Sequence, residues 1–274
     1  MILVFGKTGQ VATELQTYKG VTALGREQAD LSDPKSCSEA IKLFKPRAVI
    51  NAAAYTAVDR AESQMELAYR INGDAPGVMA MACAELDIPF VHISTDYVFD
   101  GKGMERWQEI DIPHPQNAYG RSKLKGEQAI KVSGCAYAIL RTSWIVSAHG
   151  SNFVKTMLRL AGTREHLTVV GDQVGGPTCA SDIAKTCIYI AERLIDDTRK
   201  SGVYHYSGQP DVNWCQFANT IFELIGSQTS ARPILTTEYP TPATRPLNSR
   251  LDCSGHMIRE RSNQANTVAE HGSI

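Results

Sequence analysis

No stretch of this 274-residue chain approaches the roughly 18 consecutive apolar residues that a membrane helix needs, so no membrane partner is expected. Neither sign of charge is in excess: 28 Lys and Arg stand against 29 Asp and Glu, for a formal net charge of -1. Such a balance argues against a polybasic surface and therefore against nucleic acid as a partner. The opening residues MILVFGKTGQ have neither a basic n-region nor a long apolar h-region, so no secretory leader is expected. The seven cysteines (Cys37, Cys83, Cys135, Cys179, Cys187, Cys215 and Cys253) are odd in number, scattered, and contain no CxxC. That pattern argues against a disulfide framework or a zinc site and suits reduced thiols in a cytoplasmic protein. None of the histidines forms an HxxxH or HxH pair, so a histidine metal site has no local support. The sequence shows no internal repeat and no low-complexity segment.

What remains is an ordinary globular composition, 43% hydrophobic and 21% charged, long enough for one large domain or a domain with a smaller lobe. Short apolar runs alternate with helical patterns. Strands are expected at 1–5, 21–24, 48–52, 89–94 and 137–141. Helices are expected from about residue 10 to 16 and at 38–44, 65–86 and 117–131. This alternation predicts a doubly wound parallel α/β sheet. After about residue 147 the pattern changes. Helices at 153–161, 181–194 and 214–225 and strands at 167–170 and 203–207 are followed by a loop-rich stretch punctuated by Pro233, Pro240, Pro242 and Pro246. The expected organisation is a dinucleotide-binding unit at 1–147 and a smaller substrate-binding lobe at 148–254, interleaved with the last strands of the sheet. Residues 255–274 form an atypical tail, too poor in spaced apolar residues for an amphipathic helix.

The first expected strand runs into Gly6-x-x-Gly9-x-x-Ala12 and then a helix. Gly6 permits a tight turn. Gly9 lets a pyrophosphate approach the backbone, and the small Ala12 lets helix and strand pack closely. The helix N-terminus adds free N–H groups and partial positive charge. A plain glycine turn is the simpler alternative, but the position between strand and helix favours the phosphate site. The second strand ends at Leu24-Gly25-Arg26-Glu27. Arg26 could meet a ribose 2′-phosphate, favouring NADPH, whereas Glu27 leaves NADH open. Asp30 and Leu31 follow as a loop that could pass over the adenine.

Tyr119 and Lys123 stand four apart in an expected helix and so share a face. A phenol titrates near ~10 and is a poor acid–base catalyst unless a nearby ammonium favours its phenolate. YxxxK alone most often marks an exposed helix face. Here it follows a strand ending in Ser94-Thr95-Asp96, and ligands of open α/β sheets bind at the carboxyl ends of strands. A strand-end Thr95, Tyr119 and Lys123 would together protonate a carbonyl oxygen as hydride arrives from a nicotinamide.

Taken in order, these motifs resemble the extended short-chain dehydrogenase/reductases, over roughly residues 1–253. The nearest branch is the one that reduces the C4 keto group of dTDP-4-dehydro-L-rhamnose to dTDP-L-rhamnose. The carrying stretches are FGKTGQV at 5–11, NAAAYTAVD at 51–59, STDYVF at 94–99 and NAYGRSKL at 117–124. RTSW at 141–144, DQVGGPT at 172–178 and RPLNSRL at 245–251 continue the series. The resemblance implies a Rossmann-type fold with Gly6, Gly9, Gln10 and Val11 on the cofactor pyrophosphate and Asp30 and Leu31 near the adenine. Ala53, Ala54, Tyr55 and Thr56 would line the cofactor cleft. Thr95 and Asp96 would touch the keto-sugar, Tyr119 would donate the proton and Lys123 would hold the ribose. Trp144 would wall the sugar pocket, Gln173, Pro177 and Thr178 would close it, and Arg250 would grip the nucleotide diphosphate.

Three departures stand out. Ala12 replaces a common third glycine, Tyr55 stands where His is frequent, and 255–274 lacks the Trp-containing amphipathic helix with which such proteins usually continue. Some members dimerise through magnesium. Glu14 matches one such position, and Asp196 and Asp197 could add others, but a solvated acidic face is preferred and no metal is assigned. Two alternatives share the fold: a non-catalytic regulatory subunit and a nucleotide-sugar epimerase or dehydratase.

Overall fold

The computed structural model describes residues 1–255, so from residue 256 onward the atypical tail lies outside the described residues. The first half runs β1 (Ile2–Phe5), α1 (Gln10–Leu15), β2 (Val21–Leu24), α2 (Pro34–Phe44), β3 (Ala48–Asn51), α3 (Val58–Ala61), α4 (Met65–Tyr69) and α5 (Ala75–Glu85). It continues through β4 (Phe90–Thr95), α6 (Ala118–Lys131) and β5 (Tyr137–Thr142). Then come β6 (Ile145–Val146), α7 (Phe153–Ala161), β7 (His166–Val170), β8 (Val174–Gly175), β9 (Thr178–Cys179) and α8 (Ala180–Asp196). The described chain closes with β10 (Gly202–His205), β11 (Val212–Asn213), α9 (Trp214–Leu224) and β12 (Ser230–Ile234).

Six strands form one sheet in the order β2-β1-β3-β4-β5-β10, every pair parallel. Strand periodicity divides their side chains between two cores. Leu3, Phe5, Val49, Phe90 and Ile139 pack against Ile41 of α2, Met79 and Cys83 of α5 and Ile130 of α6. On the other face Val4, Ile50, Val91 and Leu140 meet Leu15 of α1 and Ile183, Cys187, Ile190 and Leu194 of α8. Each fully buried Leu or Ile contributes about 1.5–3 kcal/mol of transfer free energy. Burial on both faces explains why these strands read as continuous apolar runs. Because α8 covers the sheet and β10 extends its edge, the chain after residue 147 returns to the first layer. The remaining elements form a separate layer, where Met157 of α7 and Cys215, Ala218, Ile221 and Phe222 of α9 enclose a small core with Ala231 of β12.

The structure corrects two expectations. The helix expected at 65–86 is interrupted by a wide π turn at Arg70–Asp74 between α4 and α5. Pro76 has no N–H to give the Asn72 carbonyl four residues back, and its ring crowds that oxygen. The freed Asn72 carbonyl instead lies against Gly126 of α6, where any Cβ would collide with it. The stretch read as loop after residue 225 contains β12, parallel to β7 in a two-stranded sheet. It carries Pro233, which is tolerated because so small a sheet has only edge strands.

Candidate active site

A cleft runs along the carboxyl ends of the strands, over the point between β1 and β3 where the sheet order reverses. Its first half, a cavity of about 760 Å³, is lined by Gly6, Gly9, Arg26, Glu27, Asp30, Leu31 and residues 52–57. The second, of about 610 Å³, shares Gly9 and Ala52 to Ala54 and continues to Thr95, Asp96, Tyr119, Lys123, Trp144, Gln173 and Trp214. Gly6 turns the chain between β1 and α1 at φ +107°, a conformation that favours glycine, and a Cβ there would press on the backbone of Ala52 and Ala53 at 3.3 Å. A Cβ on Gly9 would meet nothing within 4 Å. Gly9 caps α1 without any side-chain bond, so the first N–H groups of the helix have no side-chain acceptor. Open space over uncapped N–H groups fits a dinucleotide pyrophosphate, and exposed Arg26 beside Glu27 fits the far ribose.

Individual positions refine this picture. Gln10 and Val11 line the second cavity. The Gln10 Oε1 accepts from Ser147 Oγ at 3.0 Å and Asn152 Nδ2 at 2.9 Å, so this side chain ties α1 to the second layer. Val11 and Leu31 turn their side chains into the core. The Tyr55 hydroxyl donates to Gln64 Oε1 at 2.8 Å, and its backbone is clamped by Asn72, which accepts from Tyr55 N at 2.8 Å and donates to Tyr55 O at 3.0 Å. The π turn thus presents Asn72 to the cleft wall.

Thr95 ends β4 and Tyr119 opens α6, which is capped by Asn117 accepting from the Gly120 N–H at 2.8 Å. Gly120 permits the approach, because a Cβ there would run into the Tyr97 carbonyl oxygen. Thr95 Oγ1 donates to Asp96 Oδ1 at 3.1 Å and accepts from the Tyr97 N–H at 3.2 Å. Half-buried Tyr119 stacks edge-on against Tyr97 with centroids 5.5 Å apart. Burial, and then the Asp96 carboxylate, push the Tyr119 phenol above its ordinary value, while a hydrogen bond with Thr95 opposes them. The Tyr119 phenol therefore stands protonated in the site. Lys123 is buried, and its Nζ donates to the Ile93 carbonyl at 2.7 Å and lies 3.0 Å from His92 Nε2. Burial pushes the Asp96 carboxyl up to about 6, against hydrogen bonds from Ser249 and Thr95. Its Oδ2 is buried without a hydrogen-bond partner.

Behind the site, Arg141 of β5 holds Glu127 of α6 through two hydrogen bonds, Nε at 3.0 Å and Nη2 at 2.7 Å. Ser94 of β4 donates to the same carboxylate at 2.6 Å. This buried knot fixes α6, and with it Tyr119 and Lys123, against the two strands.

The far wall is aromatic. Trp144 has φ +48°, strained for a bulky residue, and stacks on Trp214 at the start of α9. Trp214 Nε1 donates to Gln173 Oε1 at 3.1 Å. Neither Trp214, on an expected helix, nor His92 is among the residues expected at the site, although a histidine inside an apolar strand is a visible signal. Pro177, Thr178 and Arg250 are not brought to the cleft. Thr178 is fully buried, spending its hydroxyl on Gly176 O and Gly208 N. Arg250 lines a separate depression with Arg106, Asp211 and Asp252, its Nε donating to Asn248 Oδ1 at 2.9 Å. Glu14 pairs with His149, Asp196 with Arg193 and Asp197 with Arg199. Among the described residues no group of three His, Cys, Asp or Glu side chains is placed to hold a metal ion. Nor is any described helix long and apolar enough to cross a membrane.

A glycine-turn cleft on a parallel sheet, ending at Thr95, Tyr119 and Lys123, defines a Rossmann-type, nicotinamide-dependent oxidoreductase. Within that class the chain belongs to the family described as RmlD substrate binding domain, which matches residues 1–266. It is 42% identical over 262 residues to a dTDP-4-dehydrorhamnose reductase of Sinorhizobium fredii (strain NBRC 101917 / NGR234), covering 92% of this chain and 88% of that protein. It is 42% identical over 257 residues to a dTDP-4-dehydrorhamnose reductase of Aggregatibacter actinomycetemcomitans, covering 90% and 87%. The crystal structure of dTDP-4-dehydrorhamnose reductase from Bacillus anthracis str. Ames in complex with NADP has a TM-score of 0.87, 34% identity, and covers 94% of this chain and 92% of that one.

Proposed function

We propose that this chain reduces the C4 keto group of dTDP-4-dehydro-L-rhamnose to dTDP-L-rhamnose with NADPH, with Tyr119 as proton donor. The observation that carries the reading is the convergence of Thr95, Tyr119 and Lys123 on the cavity that the Gly6–Gly9 turn begins. Arg26, the α1 N-terminus and Ala53 to Thr56 would hold the dinucleotide along the first half of the cleft. When bound, NADPH supplies the hydride to C4.

The chain's own groups do the rest. Thr95 turns its hydroxyl from Asp96 to the keto oxygen and fixes it beside Tyr119. The Tyr119 hydroxyl gives its proton to that oxygen as negative charge develops, a transfer worth about 10²–10⁴-fold in rate. Asp96 accepts hydrogen bonds from sugar hydroxyls, and Trp144 with Trp214 covers a sugar face. Water is excluded by the aromatic wall and by the Arg245–Asp59 pair at 2.6 Å, which joins α3 to the segment carrying Pro246. The layer of α7, α9, β7 and β12 serves as the substrate lobe. The same reading takes the chain as a cytoplasmic enzyme and a homodimer.

The test is NADPH oxidation with the keto-sugar nucleotide, in the wild type and in Tyr119→Phe. Turnover that falls at least ~10²-fold in Tyr119→Phe, with NADPH binding retained, supports the reading. A folded, NADPH-binding wild type that turns over no keto-sugar nucleotide overturns it.

A further inference from the structure

A buried polar chain stands directly behind Lys123 and has no part in the steps above. Asn51 ends β3, His92 lies in β4 and Lys123 in α6; their exposures are 1%, 0% and 1%. Asn51 Oδ1 accepts from the Ala53 N–H at 3.1 Å, and this orients the amide. Turned over, the amide would set its NH₂ against that N–H, donor against donor. Asn51 Nδ2 therefore donates to His92 Nδ1, 3.1 Å away. A neutral imidazole has one donor and one acceptor nitrogen, so with Nδ1 accepting, Nε2 carries the hydrogen. That Nε2 stands 3.0 Å from Lys123 Nζ. An ammonium has no lone pair to receive an N–H. A neutral amine has one, and can still donate to the Ile93 carbonyl at 2.7 Å.

We propose that His92 is a positioning residue for Lys123: Asn51 fixes its tautomer, and its Nε2–H donates to the amine lone pair, stabilising this buried lysine in its neutral form. The inference rests on the reductase reading only for what Lys123 is for. Other groups around the lysine are consistent with it. Burial alone holds a wholly buried His92 well below its ordinary value, so the ring stays neutral. Burial brings Lys123 down to about 8, although Glu127 one turn along α6 favours the ammonium. Glu127 is itself committed to Arg141 of β5 and Ser94 of β4. Asp96, Tyr97 and Tyr119 share the cavity wall with Lys123. Charging Lys123 takes up one proton. The imidazole must then end as its Nδ1–H tautomer and Asn51 must turn its oxygen toward it. That rearrangement frees the Ala53 N–H at the cofactor cleft, so the protonation of the lysine is coupled to the cleft backbone.

The test is a nitrogen-15 NMR titration of the full chain without cofactor or substrate, so its outcome is independent of whether the chain is a reductase. Above the Lys123 titration, at about pH 9, His92 is expected with Nε2 protonated and Nδ1 bare. Its ring nitrogens should shift with the Lys123 midpoint without forming imidazolium. In His92→Phe, which keeps the ring and removes both nitrogens, the Lys123 midpoint should rise by about one unit, tenfold in proton affinity. Asn51→Leu, which frees the tautomer, should move it the same way. An Nδ1–H tautomer in the wild type at that pH overturns the proposal. So does a Lys123 midpoint that stays or falls in the variants, as it would if the imidazole supported the ammonium.

Discussion

Trp144 stacks on Trp214 with ring centroids 3.5 Å apart and planes 11° from parallel. The first ring belongs to the strained turn after β5 and the second to the first turn of α9, so the pair joins the sheet layer to the second layer across the cavity. Such a pair contributes about 0.5–1.5 kcal/mol beyond its buried area. Trp214→Ala removes the support for Trp144 and the donor to Gln173. The expected outcome is a KM for the sugar nucleotide raised about tenfold, as ~1.4 kcal/mol of lost binding implies, with the KM for NADPH unchanged. Steady-state kinetics with each substrate varied in turn checks this. Equal rises in both KM values would show that the pair supports the whole cleft.

The Arg141–Glu127 pair is fully buried, and removing one partner strands the other charge. Arg141→Met should cost about 3–5 kcal/mol of unfolding free energy, whereas the double variant Glu127→Leu with Arg141→Met should recover much of it. Urea unfolding of the three proteins reads this directly. A double variant no more stable than Arg141→Met would mean that Ser94, which loses its Glu127 acceptor only in the double variant, cancels the relief.

Arg26 is an exposed cation in the first half of the cleft, which Lys7 also lines, and it stands beside a Glu27 whose carboxylate lies 3.8 Å from Lys7 Nζ. A guanidinium there would recognise a 2′-phosphate, while an acidic side chain would disfavour one. Arg26→Ala should lower kcat/KM with NADPH about tenfold, the cost of one charge-assisted contact, and leave NADH nearly unaffected. Kinetics with both nucleotides decides it.

The sheet was legible because strands buried on both faces read as unbroken apolar runs, and the Gly6 turn and Tyr119–Lys123 spacing are local patterns. What the sequence hid was set by distant contacts. The π turn depends on Pro76 and on the room that Gly126 leaves for Asn72, 54 positions earlier. β12 forms despite Pro233 because β7 offers it an edge. Trp214 joins the cleft only through the packing of α9, which no periodicity in that helix announces. Thr178 and Arg250 show the converse: a motif match placed them at the pocket, whereas hydrogen bonds to Gly176, Gly208 and Asn248 hold them away from it.

Asp96 offers a separation of stability from function. Burial raises its carboxyl from the ordinary 3.8 to about 6. Between those values the folded chain keeps a proton that the unfolded chain has released, so this group makes stability fall as pH rises through that window. Above about pH 6 the loss is complete, about 3 kcal/mol for a shift of this size. Asp96→Asn cannot ionise. Whatever fixed cost its amide brings, the variant's stability relative to wild type should improve by up to ~3 kcal/mol between about pH 4 and pH 7. On the proposed role of the carboxylate as acceptor for the sugar hydroxyls, the same substitution should raise the KM for the sugar nucleotide. Urea unfolding at the two pH values, set beside kinetics at neutral pH, tests both halves. A stability difference that does not change with pH would mean that the carboxyl titrates at its ordinary value in the folded chain.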